Sequence, residues 1–237
     1  MNRKALLISS TNLNIPDTFI LEDLNNWRSF LKSPSGGGWF ESDDHEILTL
    51  INPSKNEILK EIKSISIVDF SIVLFIGEGY LKKDFLGFDE YFLYLKDNDE
   101  ISERDLNPGN ERCLIVFDTF RSYDSINKNI FIDTDMSLVT NYRVAYENYL
   151  MQCEKGLIKI FPFNFKTFKS FSFSNILLNI TESWINKNQG ILKIDEAMEL
   201  VDSYFIDNLS EEAPVYQGGR RLRHFPFAIN LSNQLHS

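Results

Sequence analysis

Residues 112–122 read RCLIVFDTFRS, and the reading of that run decides the fold. Leu114 to Phe117 form an uninterrupted apolar stretch of strand-forming type, closed by Asp118. A strand with no polar alternation is one covered on both faces, as in a parallel sheet held between helices. Its carboxyl end is where α/β proteins place their working residues. At that point stands Phe120, a large inert ring between Asp118 and Arg121.

Outward from this strand the chain repeats the same alternation. KALLISS (4–10) and VDFSIVLFI (68–76) predict two more buried strands, with shorter strands at Ile47–Ile51, YFLYL (91–95) and GLIKIFPF (156–163). Pro16 and Asp17 open a helix whose Ile20, Leu24, Trp27 and Leu31 share one face, and NPSKNEILKEIKSI opens on a cap and sets Ile58, Ile62 and Ile65 on another. NYRVAYENYLMQC, FSNILLNITESWINK and IDEAMELVDSYFIDNL predict three further helices. RHFPFAINL (223–231) is expected to close the chain as an edge strand, where Pro226 is tolerated. The polar segments 97–110 and 122–140 are expected to be the most mobile. Strand and helix alternate over residues 1–237 without a separating linker. The expectation is one domain, a three-layer α/β/α sandwich with a mostly parallel sheet.

Composition limits the function. The 237 residues are 43% hydrophobic with 20 Phe and 9 Tyr, enough for a sizeable core, and the formal charge is -10. That balance argues against nucleic acid or an anionic membrane as partner, since both demand clustered positive charge. No apolar run reaches the length of a membrane span, and the first residues lack the apolar core of a secretory leader, so a cytoplasmic protein is expected. Cys113 and Cys153 lack metal or redox spacing and read as buried free thiols.

Several motifs fall short. Gly77-Glu78-Gly79 follows a strand, yet the third glycine of a dinucleotide loop is missing. GGG (36–38) follows a helix, so it cannot seat a phosphate on a helix N-terminus. His45, His224 and His236 stand apart, and ESDDHE (41–46) lacks the glycine and spacing of a calcium loop. Neither metal nor cofactor is expected. Arg220, Arg221 and Arg223 gather charge in an otherwise acidic chain and read either as a solvated edge with a few ion pairs or as a patch for an acidic protein surface. Glu78 and Asp118, each just past a buried strand, are expected to face each other across a crevice.

The chain resembles the caspase-like (clan CD) cysteine peptidases, in particular their bacterial, metacaspase-like members. KALLIS resembles the first strand of that family, and LEDLNNWRSFLKSPSGGGWF and EILTLINPSKNEILKEI the segments that follow. DFSIVLFIGEGY resembles the strand ending in S/F-S-G-H-G, CLIVFDTFRS the strand ending in D-x-C-R/H-S, and APVYQGGRRLRHFPFAI the carboxy-terminal stretch. The resemblance places the family's general-base histidine on Glu78 and its nucleophilic cysteine on Phe120. Phe has no lone pair and Glu is a weak base near neutral pH, so covalent peptidase chemistry is expected to be lost. Asp118 matches the acidic residue that helps the family bind a basic side chain, which implies a site for a positively charged group with Glu78 and Arg121 beside it; the other reading of Asp118 is that it only holds the loop by capping backbone N–H groups. The resemblance thus implies an inactive, pseudocaspase member that binds a protein partner (an active peptidase, a regulator or an effector), in a bacterial defence or cell-death module. It also implies pairing of copies through the closing strand. The alternative is an enzyme of another class that uses Glu78 and Asp118 for acid/base work.

Overall fold

The computed structural model describes residues 1–10, 17–41, 46–83, 87–119, 136–161, 173–209 and 214–231. The central sheet has the order β2 (Ile47–Ile51), β1 (Arg3–Ser10), β3 (Phe70–Gly77), β7 (Arg112–Thr119), β8 (Gly156–Phe161) and β10 (Val215–Gln217). The first five run parallel and β10 antiparallel. RCLIVFDT is β7, between β3 and β8, and every residue from Cys113 to Thr119 is buried. The lack of polar alternation in the sequence has this cause.

Side chains along the strands alternate between two cores. Leu7, Ile72, Leu74, Leu114, Val116 and Ile158 point to one face, and Leu6, Ile8, Val73, Phe75, Ile115 and Phe117 to the other. The first face is covered by α1 (Asp17–Lys32), α3 (Met136–Met151), α4 (Phe173–Lys187) and α5 (Ile194–Tyr204). Ile20, Leu24, Trp27 and Leu31 of α1 are all buried there, as their spacing predicts. The second face is covered by α2 (Lys55–Ile65) and by an antiparallel arm of β4 (Gly79–Lys83), β5 (Asp89–Tyr94) and β6 (Glu100–Ser102). Ser54 caps α2 through a capping box with Glu57, and Ile58, Ile62 and Ile65 are its buried face. The fold is the three-layer sandwich.

Two expectations are corrected. Segment 97–110 holds β6 and a 3-10 turn, Glu103–Leu106, because Ile101 and Leu106 are fully buried against the second core. The closing strand, β11 (Pro226–Asn230), is not an edge of the main sheet. It pairs with β9 (Gly190–Lys193) in a separate ribbon, and all five residues are buried. Phe227 packs on Trp27 and Phe30, and Phe225 on Phe70. On its other side Ile229 N–H donates to Ser35 O at 2.8 Å. Three aromatic and aliphatic anchors in so short a segment favour burial over an exposed edge. A second copy could pair with this strand only after it left the core.

Candidate functional site

β3 and β7 are neighbours, with Ile76 opposite Asp118 and Gly77 opposite Thr119. Parallel pairing therefore brings Glu78 and Asp118 to one end of the sheet. Glu78 occupies the turn between β3 and β4, and its side chain belongs to a residue only 7% exposed. The two flanking glycines are required by packing. A Cβ on Gly77 would stand 2.0 Å from Ser10 O, and one on Gly79 would stand 2.5 Å from the Tyr91 hydroxyl oxygen. The turn is thus built by close approach of β1 and of the arm.

Asp118 is 1% exposed, and its carboxylate reaches under α4. Phe173 N–H donates to Oδ1 at 3.2 Å and Ser174 N–H donates to Oδ2 at 3.0 Å. These are amide donors of the first helical turn, which have no partner inside their own helix. A carboxylate there also meets the positive end of the helix dipole. The helix start is fixed further by Trp27 Nε1, which donates to Ser174 Oγ at 2.7 Å, and by Asn175 Nδ2, which donates to Asp23 Oδ1 at 2.7 Å. Of the two readings of Asp118, these contacts are the backbone-capping one: each oxygen accepts an amide hydrogen from α4. Next to it, the hydroxyls of Tyr91 and Thr119 share a hydrogen bond that ties the arm to the end of β7. Phe120, Arg121 and Ser122 lie outside the described residues.

The two thiols sit away from this end. Cys113 is the second residue of β7, five residues before Asp118, a distance of about 16 Å along a strand. Burial pushes its thiol up to about 12. Cys153 follows α3; burial pushes its thiol up to about 11, and its one S–H lies within reach of two acceptors, Tyr149 O at 3.3 Å and His224 O at 3.1 Å.

The arginine-rich stretch does not form a single patch. Arg221 donates to the carbonyl oxygens of Gly218, Glu154, Lys155 and Leu157 and lies over the Phe225 ring. It straps the chain between β10 and β11 onto the turn after α3 and the start of β8. Arg223 bonds to Gln152 beside it, while Arg220 is exposed. His224 is held between Tyr216, at 2.6 Å, and Asp195, at 3.4 Å. Among the described residues no group of His, Cys, Asp or Glu is arranged to hold a metal ion, and no helix is long and apolar enough to cross a membrane. His45 and His236 lie outside those residues.

Sequence reasoning misses Tyr91, Ser174 and Trp27. The signal available was Ser-Asn at 174–175 opening an amphipathic run, which marks a helix start, but nothing in it names a cap 55 residues upstream.

No family model matches the sequence, and no curated protein matches it. Solved structures do. The structure of pro-sf-caspase-1 aligns with a TM-score of 0.51 at 13% identity, covering 91% of this chain and 91% of that one. Caspase-1 from Spodoptera frugiperda aligns with a TM-score of 0.52 at 14% identity, covering 98% of this chain and 92% of that one. At that identity the likeness is one of fold.

Proposed function

We propose that this chain of caspase-like fold is a pseudopeptidase, which holds a protein partner and does not cut peptide bonds. The observation that carries the reading is the place of its two cysteines. The sequence has two cysteines, and both are buried with thiols held protonated. Neither lies at the end of the sheet where Glu78 and Asp118 stand. A cysteine peptidase needs a thiolate, and a protonated, buried sulfur is neither nucleophilic nor reachable. By the resemblance, the nucleophile and base positions carry Phe120 and Glu78, and neither can take over the missing role. The partner is an active peptidase, a regulator or an effector, and the setting of bacterial defence or cell death rests on the resemblance alone. An enzyme acting through the Glu78 and Asp118 pair has less support, since both Asp118 oxygens already accept amide hydrogens from α4.

The test is a cleavage assay on the full chain with fluorogenic peptides carrying Arg, Lys or Asp before the scissile bond, with and without calcium. No turnover is expected, and no labelling by thiol-directed peptide inhibitors. Turnover that persists in a Cys113→Ser, Cys153→Ser double variant and vanishes in Glu78→Gln would refute the reading and establish the alternative enzyme.

A further inference from the structure

β2 closes one side of the main sheet: among the described residues it has a strand on one side only. Its sequence is Ile47-Leu48-Thr49-Leu50-Ile51, which reads the same in both directions. Glu46 O and Asn52 N are both bonded to β1, to Ala5 N–H at 2.7 Å and Ser9 O at 2.8 Å. Backbone groups alternate sides along a strand, so residues 46, 48, 50 and 52 face β1. Ile47, Thr49 and Ile51 turn their N–H and C=O groups outward.

Proteins usually blunt such an edge with a lysine, a proline, a bulge or a very short strand. β2 has none of these: it is five residues long, carries no charge, and pairs with β1 in an unbroken register from Ala5–Ile47 to Ser9–Ile51. The opposite edge differs, because β10 has three residues and is followed by the strapped arginine loop. Ile51 is 54% exposed, and Leu48, Thr49 and Leu50 are part-exposed. In a chain of formal charge -10, the five residues of this edge strand are uncharged.

We propose that β2 pairs antiparallel with β2 of a second copy about a two-fold axis through Thr49, joining the two sheets into one. The palindrome makes the contact self-complementary, as a two-fold interface requires. Ile47 stands opposite Ile51, Leu48 opposite Leu50 and Thr49 opposite Thr49, so like meets like at every pair. The three outward residues of each strand face one another and exchange their backbone hydrogen bonds. Two five-residue strands form a small contact, below the roughly 1,200 Å² of a standard interface unless flanking surface joins it. The dimer therefore dissociates on dilution.

The experiment is light scattering on the full chain over a concentration series. At high concentration the expected mass is twice the 27.6 kDa of one chain, falling towards one chain on dilution. Thr49→Lys sets two ammonium groups against each other on the axis and is expected to weaken the dimer more than tenfold. Thr49→Cys, treated with a short thiol-to-thiol crosslinker, is expected to yield a linked dimer, with little background because both native thiols are buried. That second variant decides the matter if the lysine variant does not fold. A chain that stays monomeric at every concentration overturns the proposal and leaves the edge to a strand of another protein. A dimer that ignores Thr49→Lys and does not link through Thr49→Cys overturns it as well, because the contact then lies elsewhere.

Discussion

Asp118 links the end of β7 to the start of α4, and the two roles open to it predict different phenotypes. As a cap, it accepts two amide hydrogens at a buried helix start. Asp118→Asn removes the charge and sets an NH2 group against one of those donors. A loss of about 2 kcal/mol is expected, in line with cap deletions and unsatisfied buried amides. For a chain of this size that lowers Tm by about 4–8 °C. A residue that only held ligand would leave thermal unfolding unchanged, and a calorimetric scan separates the two outcomes. The cysteines carry a second prediction at this scale. With thiols pushed up to about 12 and about 11 by burial, neither should react with iodoacetamide at pH 8 until the chain unfolds, after which both should. Mass spectrometry before and after denaturant reads the change; rapid modification of the native chain at either site would contradict the burial and reopen the question of a nucleophile.

At the scale of elements, the turn between β3 and β4 depends on what its glycines touch. Gly77→Ala drives a Cβ to 2.0 Å from Ser10 O, a backbone atom of β1 that cannot rotate aside. More than about 3 kcal/mol of destabilisation is expected, of the order seen for overpacked cores. Denaturant titration would show it, and a midpoint equal to the parent's would mean that the sheet end yields. The strap between β10 and β11 is a separate case. Arg221 satisfies four carbonyl oxygens, so Arg221→Ala should lose about 2 kcal/mol and loosen the segment 218–225. Limited proteolysis should then cut there first. Arg221→Lys should rescue little of this, since one ammonium cannot reproduce the planar fork that spans these acceptors.

Across the whole molecule, the first strand is tied to the helical layer by a buried ionic cluster. Arg3, 2% exposed, donates to Gly37 O at 2.8 Å and Gly38 O at 3.0 Å and lies over the Trp39 ring. Glu46, just before β2, receives two hydrogen bonds from Arg143 of α3, at 2.7 and 2.8 Å, and stands 3.4 Å from Arg3. Burial alone would raise the Glu46 carboxyl, but the Arg143 hydrogen bonds and the Arg3 charge outweigh it and hold the carboxyl below its ordinary range. A depressed carboxyl stabilises the fold at pH values above its unfolded pKa, near 4.5. That contribution drains away as pH falls below this value, through the lower folded one. Stability should therefore drop from about pH 4.5 downward. Glu46→Gln should flatten this part of the profile while weakening the fold at neutral pH by about 3 kcal/mol, because the buried Arg3 and the part-buried Arg143 are left to share the counter-charge of Glu147. Equal acid sensitivity in parent and variant would place the effect on other carboxylates.

Local rules were enough for much of the architecture. The unbroken apolar runs of β1, β3 and β7, the periodic faces of α1 and α2, and the capping box at Ser54 are each written in a few neighbouring residues, because strand and helix periodicities and caps are local properties. The sequence also located the turn at Glu78 and the strand end at Asp118, and it counted two cysteines out of any thiol constellation. Only the tertiary structure decided what those residues touch. Asp118 meets amides that lie 55 and 56 positions later in the chain, Arg221 reaches carbonyls 64 to 67 positions away, and RHFPFAINL is taken into the core by rings on α1 and β3. A lone sequence does not encode which distant donors will be left without a partner, and a charged side chain goes where such groups are buried. Composition read the arginines as surface, whereas four carbonyl oxygens of the turn and strand beside it hold the half-buried Arg221 against the fold.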